Sequence, residues 1–291
     1  MRLSDLFYTM RPRQWTKNLL LFAGLVFSHH LLHPRFTLRS FTAFVLFCAL
    51  SGSVYVLNDV CDVQQDRQHP LKRHRPIASG RLRVHTALVF AFVVVAFSVL
   101  FSFMLGYSFG GVALTYVVLI LSYSLWLKHV VILDVLVVAA GFVLRAVAGA
   151  VVIHVEISSW LLICTILLAL FLALSKRRHE LVLLENGAGE HRPILAEYSP
   201  PLLDQMIAVV TSSTVMAYAL YTISDETVRK FGTKNLQLTI PLVLYGVFRY
   251  LYLIHQKNMG GSPEKVLLTD TPLLLSIAFW AGMVFCILYV M

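Results

Sequence analysis

The chain has 291 residues, 58% of them hydrophobic and only 13% charged, with a mean hydropathy of +0.76. Those values exclude an ordinary soluble domain and describe an all-α polytopic membrane protein. The net charge of +9 would suggest a nucleic-acid partner in a soluble protein, but here membrane orientation and attraction to anionic membrane lipids account for it, so no nucleic-acid partner is expected.

Taken from the start, residues 1–17 are basic and aromatic with no cleavage motif, and read as an interfacial segment leading into the first span. Nine apolar runs follow, at about 18–34, 41–60, 86–107, 109–127, 130–153, 158–175, 205–222, 237–255 and 272–291. Most reach the roughly 20 residues that a spanning helix needs. No internal repeat is visible, and the pattern does not decide how the spans group.

The most unusual stretch is YVLNDVCDVQQDRQHPLKRHRPIASG, residues 55–80, at the end of the second run. Asn58, Asp62 and Asp66 recur every four residues with Asp59 beside them, so a helix continuing past the apolar run places their oxygens on one face. Oxygen donors alone suit Mg2+, which is held jointly by one or two carboxylates and substrate phosphates. Lys72, Arg73, Arg75, Arg81 and Arg83 follow at once, which suggests a diphosphate ligand. His69 and His74 share this connection.

Further on, YSLWLKHVVILD ends the fourth run at Tyr123 and Lys128 and opens the fifth at Asp134. Lys128 suits either a snorkelling anchor or a site residue, whereas Asp134, one turn into an apolar helix, needs a partner. Arg145 lies deep in the fifth run, where a permanent charge must face a polar cavity or be satisfied by backbone carbonyls at a helix break helped by Gly141 and Gly149. SKRRHEL, residues 175–181, closes the sixth run with Lys176, Arg177 and Arg178; by itself it reads as a cytoplasmic anchor, and beside the aspartates as a second phosphate site. Arg249, near the end of the eighth run, suits snorkelling as well as function. The cysteines, Cys48, Cys61, Cys164 and Cys286, show no paired spacing, so neither a disulfide nor a zinc framework is expected. No GxSxG, Walker-type or CxxC motif occurs.

Seventeen of the 24 Lys and Arg residues fall in connections that share one side of a nine-span topology and five on the other, with Arg145 and Arg249 inside spans. The excess marks the cytoplasmic side, giving an N-terminus inside and a C-terminus outside. The long hydrophilic connections, about 61–85, 176–204 and 256–271, are then all cytoplasmic, and so is the chemistry.

NDxxDxxxD followed by HPxKxxRPIASG resembles the UbiA superfamily of intramembrane prenyltransferases. RPRQWTKNLLLFA, YSLWLKHVVILDVLVVAAGFVLRAVAG, SKRRHEL, FRYLYLIH and GGSPEKVLLTDTPLL narrow the resemblance to its decaprenyl-phosphate phosphoribosyltransferase branch. The resemblance implies one transmembrane domain over 1–291, a helical bundle around a central cavity open to the cytoplasm, in the inner membrane. Aromatic prenyltransferases of the superfamily carry a second acidic motif, DxxxD, after the sixth span; here no DxxxD occurs after residue 150 and SKRRHEL takes that place.

By that resemblance the chain is a Mg2+-dependent enzyme moving phosphoribose from 5-phosphoribosyl 1-diphosphate (PRPP) to a polyprenyl phosphate. Asn58, Asp59, Asp62 and Asp66 would be catalytic, with Asn58, Asp62 and Asp66 on the metal. Lys17, Tyr55, Lys72, Lys128 and Arg145 would contact PRPP, and Lys176, Arg177, Arg178 and Arg249 the lipid phosphate. Two rivals are a transferase moving a prenyl group to an aromatic acceptor, which needs two acidic motifs, and a transporter using Asp134 and Arg145 as a path.

Overall fold

The computed structural model describes residues 3–28, 30–68, 72–183, 193–257, 259–261, 266 and 269–290. Among them every regular element is helical, and eight helices are long and apolar enough to cross a membrane. The chain divides into two compact units, Met1–Ile157 and Ser158–Met291, each with four of those helices.

In the first unit the spanning helices are α3 (Pro34–Cys61), α5 (Val84–Leu105), α6 (Tyr107–Leu125) and α7 (Leu133–Val152). Helix α3 packs against the other three. Phe47, Leu50, Phe109, Tyr116, Ala148 and Val152 form its core. The outer sides are apolar too: Phe92, Phe97 and Leu100 on α5 are all more than half exposed, an arrangement that needs lipid rather than water around it.

Ahead of α3 lie α1 (Leu3–Thr9), a ten-residue 3-10 helix (Pro12–Leu21) and the short α2 (Phe22–Val26). The expected first spanning helix, 18–34, is therefore not a continuous α-helix. Its segment still crosses the unit, because its contacts step along α3 in reverse. Arg11 meets Asp59, Asn18 meets Ser51 and Cys48, Phe22 stacks near Phe44 and His30 near Phe36. Ten residues at about 2.0 Å and five at about 1.5 Å carry it roughly 27 Å, close to the ~30 Å of a hydrocarbon core. The thread overlaps the first of the nine expected runs, and the eight spanning helices account for the other eight.

Tight backbone approach holds the thread in place. A Cβ on Gly149 of α7 would collide with the Leu21 carbonyl, and one on Gly24 would come within 2.9 Å of the Ala150 Cα. Exposure along the 3-10 helix follows a period of three, as its geometry requires: Arg13, Thr16 and Leu19 are exposed, while Asn18 and Leu21 are buried.

After α3 comes α4 (Val63–Gln68), so the chain stays helical past the apolar run except for a break at Asp62, bridged by Asp62 N–H to the Asn58 carbonyl and Asp66 N–H to the Asp62 carbonyl. The segment beyond residue 71 is anchored by Ile77 and Leu82, both buried with Leu6, Val56, Ala87 and Ala91.

The second unit contains α8 (Ser159–Leu183), α9 (Pro200–Ile223), the short α10 (Asp225–Phe231), α11 (Ile240–Lys257) and α12 (Thr271–Tyr289). Helix α9 packs on α8 and α11, and α11 on α12. Residues 176–183, expected in a loop, continue helix α8, so SKRRHEL sits on helical turns. Arg192, Lys265 and His69 lie outside the described residues.

Candidate active site

The NDxxDxxxD residues divide into two neighbouring sets. Asn58 and Asp62, one helical turn apart, bond to each other through Asn58 Nδ2 and Asp62 Oδ2 at 3.0 Å. Asp62 Oδ1 accepts from Lys128 Nζ at 2.7 Å, so the short 3-10 turn Leu127–His129 after α6 reaches the end of α3. Asp59 and Asp66 are almost fully buried and share one cation: Arg75 Nη1 donates to Asp59 Oδ1 at 2.9 Å and to Asp66 Oδ2 at 2.6 Å.

Arg11 is the second cation on Asp59 Oδ1, and its guanidinium lies 5.0 Å from the Tyr55 ring centroid. Its backbone is left-handed, φ 52°, a conformation that costs a non-glycine residue about 1 kcal/mol or more. Here it turns the chain from α1 into the thread. Lys17 lies half-buried on the thread, and Lys72 opens the short 3-10 turn whose carbonyl accepts the Arg75 N–H at 2.9 Å.

The donor chemistry fits Mg2+ in a particular way. Among the described residues no three acidic, His or Cys side chains gather closely enough to hold a metal by themselves. Asn58 and Asp62 are oxygen-bearing side chains one turn apart, with Asp66 one turn further on, a set that suits a hard cation completed by water and by a ligand's phosphate oxygens.

Arg145 lies within the unbroken helix α7 and meets one backbone carbonyl and two side chains. It is buried, and all three of its nitrogens have protein partners: Nε donates to Asn18 Oδ1, Nη1 to the Gly141 carbonyl and Nη2 to Tyr116 Oη, each at 2.7 Å. Asn18 in turn donates to Ser51 Oγ at 3.1 Å and Cys48 Sγ at 3.3 Å. The polar surroundings of this charge are thus protein groups, joining the thread, α3, α6 and α7. Seven residues of α3 separate Ser51 from Asn58, about 10 Å of helix. Asp134, in the first turn of α7, is wholly buried.

In the second unit the cations of SKRRHEL have carboxylate neighbours. Arg178 pairs with Asp204 of α9, whose Oδ1 also lies 3.2 Å from His255 Nε2, and Arg177 pairs with Glu180 at 3.0 Å. Lys176 is exposed. Arg249 Nε and Nη2 engage both oxygens of Asp270, at 3.1 and 2.8 Å, and Asp270 also caps α12 by accepting from the Leu273 N–H at 3.0 Å.

Sequence reasoning missed four of these partners. Arg11 and Asn18 lie within the quoted RPRQWTKN motif, and Asp270 shows the Asp-Thr-Pro pattern of a helix start. Asp204 carried no signal.

Comparison with known proteins places these observations. The model of the UbiA prenyltransferase family matches residues 19–266. The decaprenyl-phosphate phosphoribosyltransferase of Corynebacterium glutamicum is 33% identical over 285 residues, covering 96% of this chain and 84% of that protein. The protein of the same name from Mycolicibacterium smegmatis is 31% identical over 301 residues, covering 98% and 93%. In fold, a UbiA homolog from Archaeoglobus fulgidus, solved bound to GPP and Mg2+, superposes with a TM-score of 0.73 at 17% identity, covering 98% of this chain and 99% of that one.

Proposed function

The chain belongs to the UbiA prenyltransferase family, and we propose that its reaction is phosphoribosyl transfer from PRPP to a polyprenyl phosphate, releasing pyrophosphate. The observation that carries this is the reversal of charge after the sixth span. Where a second acidic motif would hold a prenyl diphosphate through metal, helix α8 carries Lys176, Arg177 and Arg178, a set suited to an acceptor that is itself a phosphate. The names of the Corynebacterium and Mycolicibacterium relatives agree with it.

In this reading a lipid phosphate oxygen forms a bond to ribose C1 while the bond from C1 to the diphosphate oxygen breaks, its electron pair leaving with pyrophosphate. Mg2+, held by Asn58, Asp62 and Asp66, would supply charge stabilisation to that leaving group. Lys128 and Lys72 bring cationic donors to the diphosphate, and Lys17 and Tyr55 line the same end of α3. Arg145 acts on the donor through Asn18, by fixing the thread that carries Lys17. Lys176, Arg177 and Arg178 hold the lipid phosphate; Arg249, committed to Asp270, serves that end of the second unit by orienting α12. A phosphate monoester is already anionic, so positioning two anions against their mutual repulsion is the main task of these residues. The excess of Lys and Arg in one set of connections supports a reading with the N-terminus and the site on the cytoplasmic side of the inner membrane.

The test is incubation of the purified protein with Mg2+, polyprenyl phosphate and PRPP labelled in the ribose, beside a parallel incubation with a prenyl diphosphate and an aromatic acceptor. Label passing into the organic phase is the expected result. Label remaining in the aqueous phase while a prenyl diphosphate is consumed would overturn the proposal in favour of prenyl transfer.

A further inference from the structure

Every carboxylate of the NDxxDxxxD cluster holds a cation of the protein's own. Asp62 holds Lys128 at 2.7 Å, Asp59 holds Arg11 and Arg75, and Asp66 holds Arg75 at 2.6 Å. Three negative charges thus meet three positive ones. Two of the carboxylates, Asp59 and Asp66, are at most 5% exposed at the side chain, and buried charges of this kind are costly to leave alone.

We propose that Arg75 and Lys128 are exchangeable counter-ions, which yield Asp66 and Asp62 to the divalent cation only as they move onto the diphosphate of the donor. The inference rests on the phosphoribosyl-transfer reading for the identity of that donor. Its consequence is that the cluster takes up metal and diphosphate together, and metal by itself weakly.

The geometry separates the residues that exchange from the one that stays. Arg75 reaches both carboxylates through a single nitrogen, Nη1, so one rotation of its side chain frees Asp66. Asp59 then keeps Arg11, and is never left as a bare buried charge. Asp59 is on this account the fixed partner of Arg11 rather than a metal ligand. The backbone of Arg75 is meanwhile pinned by burial of Ile77 and Leu82 and by Ser79 N–H bonding to the Arg75 carbonyl at 2.9 Å, so the side chain can swing without the loop moving.

The charges balance only if both partners arrive. Releasing Arg75 and Lys128 from Asp66 and Asp62 gives up two single positive charges on those carboxylates, and a divalent cation replaces them. The two released cations then lie beside a dication, an arrangement that is repulsive until an anion joins them. A diphosphate is that anion, and guanidinium and ammonium groups are its usual partners. Metal and diphosphate therefore raise each other's affinity, by the reciprocity that linkage requires.

Equilibrium dialysis of the purified protein in detergent tests this without turnover, using Mn2+ in place of Mg2+ and inorganic pyrophosphate as the anion. The wild-type protein should retain Mn2+ at least about tenfold more tightly with pyrophosphate than without it, within the usual range of coupling between sites. Arg75→Gln should retain Mn2+ alone more tightly than wild type, since Asp66 has lost its counter-ion, and should gain less from pyrophosphate; Arg75→Lys should restore the wild-type pattern. Equal retention of Mn2+ by the wild type with and without pyrophosphate would overturn the proposal, as would weaker retention of Mn2+ alone by Arg75→Gln. The wild-type comparison decides even if a variant fails to fold. Failure of the phosphoribosyl reading shows elsewhere, as absence of labelled lipid in the transfer assay.

Discussion

Arg145 on α7 and Asn18 on the thread are 127 residues apart in sequence and joined by a 2.7 Å hydrogen bond from Nε to Oδ1. That bond ties a non-helical crossing to the helices around it, and it sits where water does not reach.

Removing either partner should therefore weaken the whole first unit. Asn18→Leu leaves a buried guanidinium one bond short, at a cost of about 1.5–3 kcal/mol; Arg145→Met removes the charge together with three bonds. Both should lower the melting temperature in detergent, and Asn18→Leu should also reduce transfer by displacing Lys17. A protein melting unchanged after Asn18→Leu would show that the bond has no structural weight.

Asp62→Ala should abolish metal-dependent transfer while the protein stays folded, since Asp62 accepts from both Lys128 and Asn58 at the exposed end of the cluster. Turnover assays alongside size-exclusion profiles check this. Unchanged turnover would remove Asp62 from the site.

Two glycine substitutions should act in opposite directions. Gly149→Ala drives a methyl group into the Leu21 backbone, a buried collision that neither chain can relieve cheaply, and should cost at least about 1–3 kcal/mol. Gly111→Ala on α6 meets nothing within 4 Å and should stabilise by roughly 0.5–1 kcal/mol through the reduced freedom of the unfolded chain. Thermal melts of the pair read both signs.

The Arg249–Asp270 pair makes a pH prediction. The hydrogen bonds from Arg249, with that from the Leu273 N–H, hold the Asp270 carboxyl below its ordinary value of 3.8. A carboxylate with a depressed folded-state pKa contributes stability that is present above its unfolded pKa and is lost as pH falls through the folded one. Wild-type stability should thus fall below about pH 4, and Asp270→Asn should be less stable at neutral pH with a shallower acid loss. Identical acid profiles for the two proteins would count against the pair.

Lys176→Ala should chiefly raise the KM for polyprenyl phosphate, with the PRPP dependence nearly unchanged. Arg178→Ala should do the same and also loosen the contact of α8 with α9, because it deserts Asp204. Steady-state kinetics with each substrate varied separately tells the two apart. A defect confined to PRPP would reassign Lys176 to the donor.

Much of this was legible in sequence because charge in an apolar run is conspicuous. Asn58, Asp59, Asp62 and Asp66 at the end of α3, Lys128 after α6 and Arg145 within α7 all stood out by the cost of placing them there. What could not be read was which cation serves which acid. Of the six cations between Asp66 and α5, it is Arg75 that bridges Asp59 and Asp66, a pairing fixed by the burial of Ile77 and Leu82 rather than by any spacing. The thread was hidden for a similar reason. Residues 18–34 are apolar enough for a helix, and their departure from one depends on Gly149, far along the chain, admitting the Leu21 backbone.

The period of three along that thread makes chain length itself a constraint. Each residue of a 3-10 helix turns by about 120°, so its side chains run in three straight lanes. Asn18 and Leu21 share the buried lane, and Arg13, Thr16 and Leu19 the exposed one. Inserting or deleting one residue between Arg11 and Asn18 would switch the lanes wholesale, turning Asn18 away from Arg145 while Arg11 stayed with Asp59. The spacing of six residues between them is as much a part of the site as the side chains it aligns, and no conservative substitution can compensate for its loss.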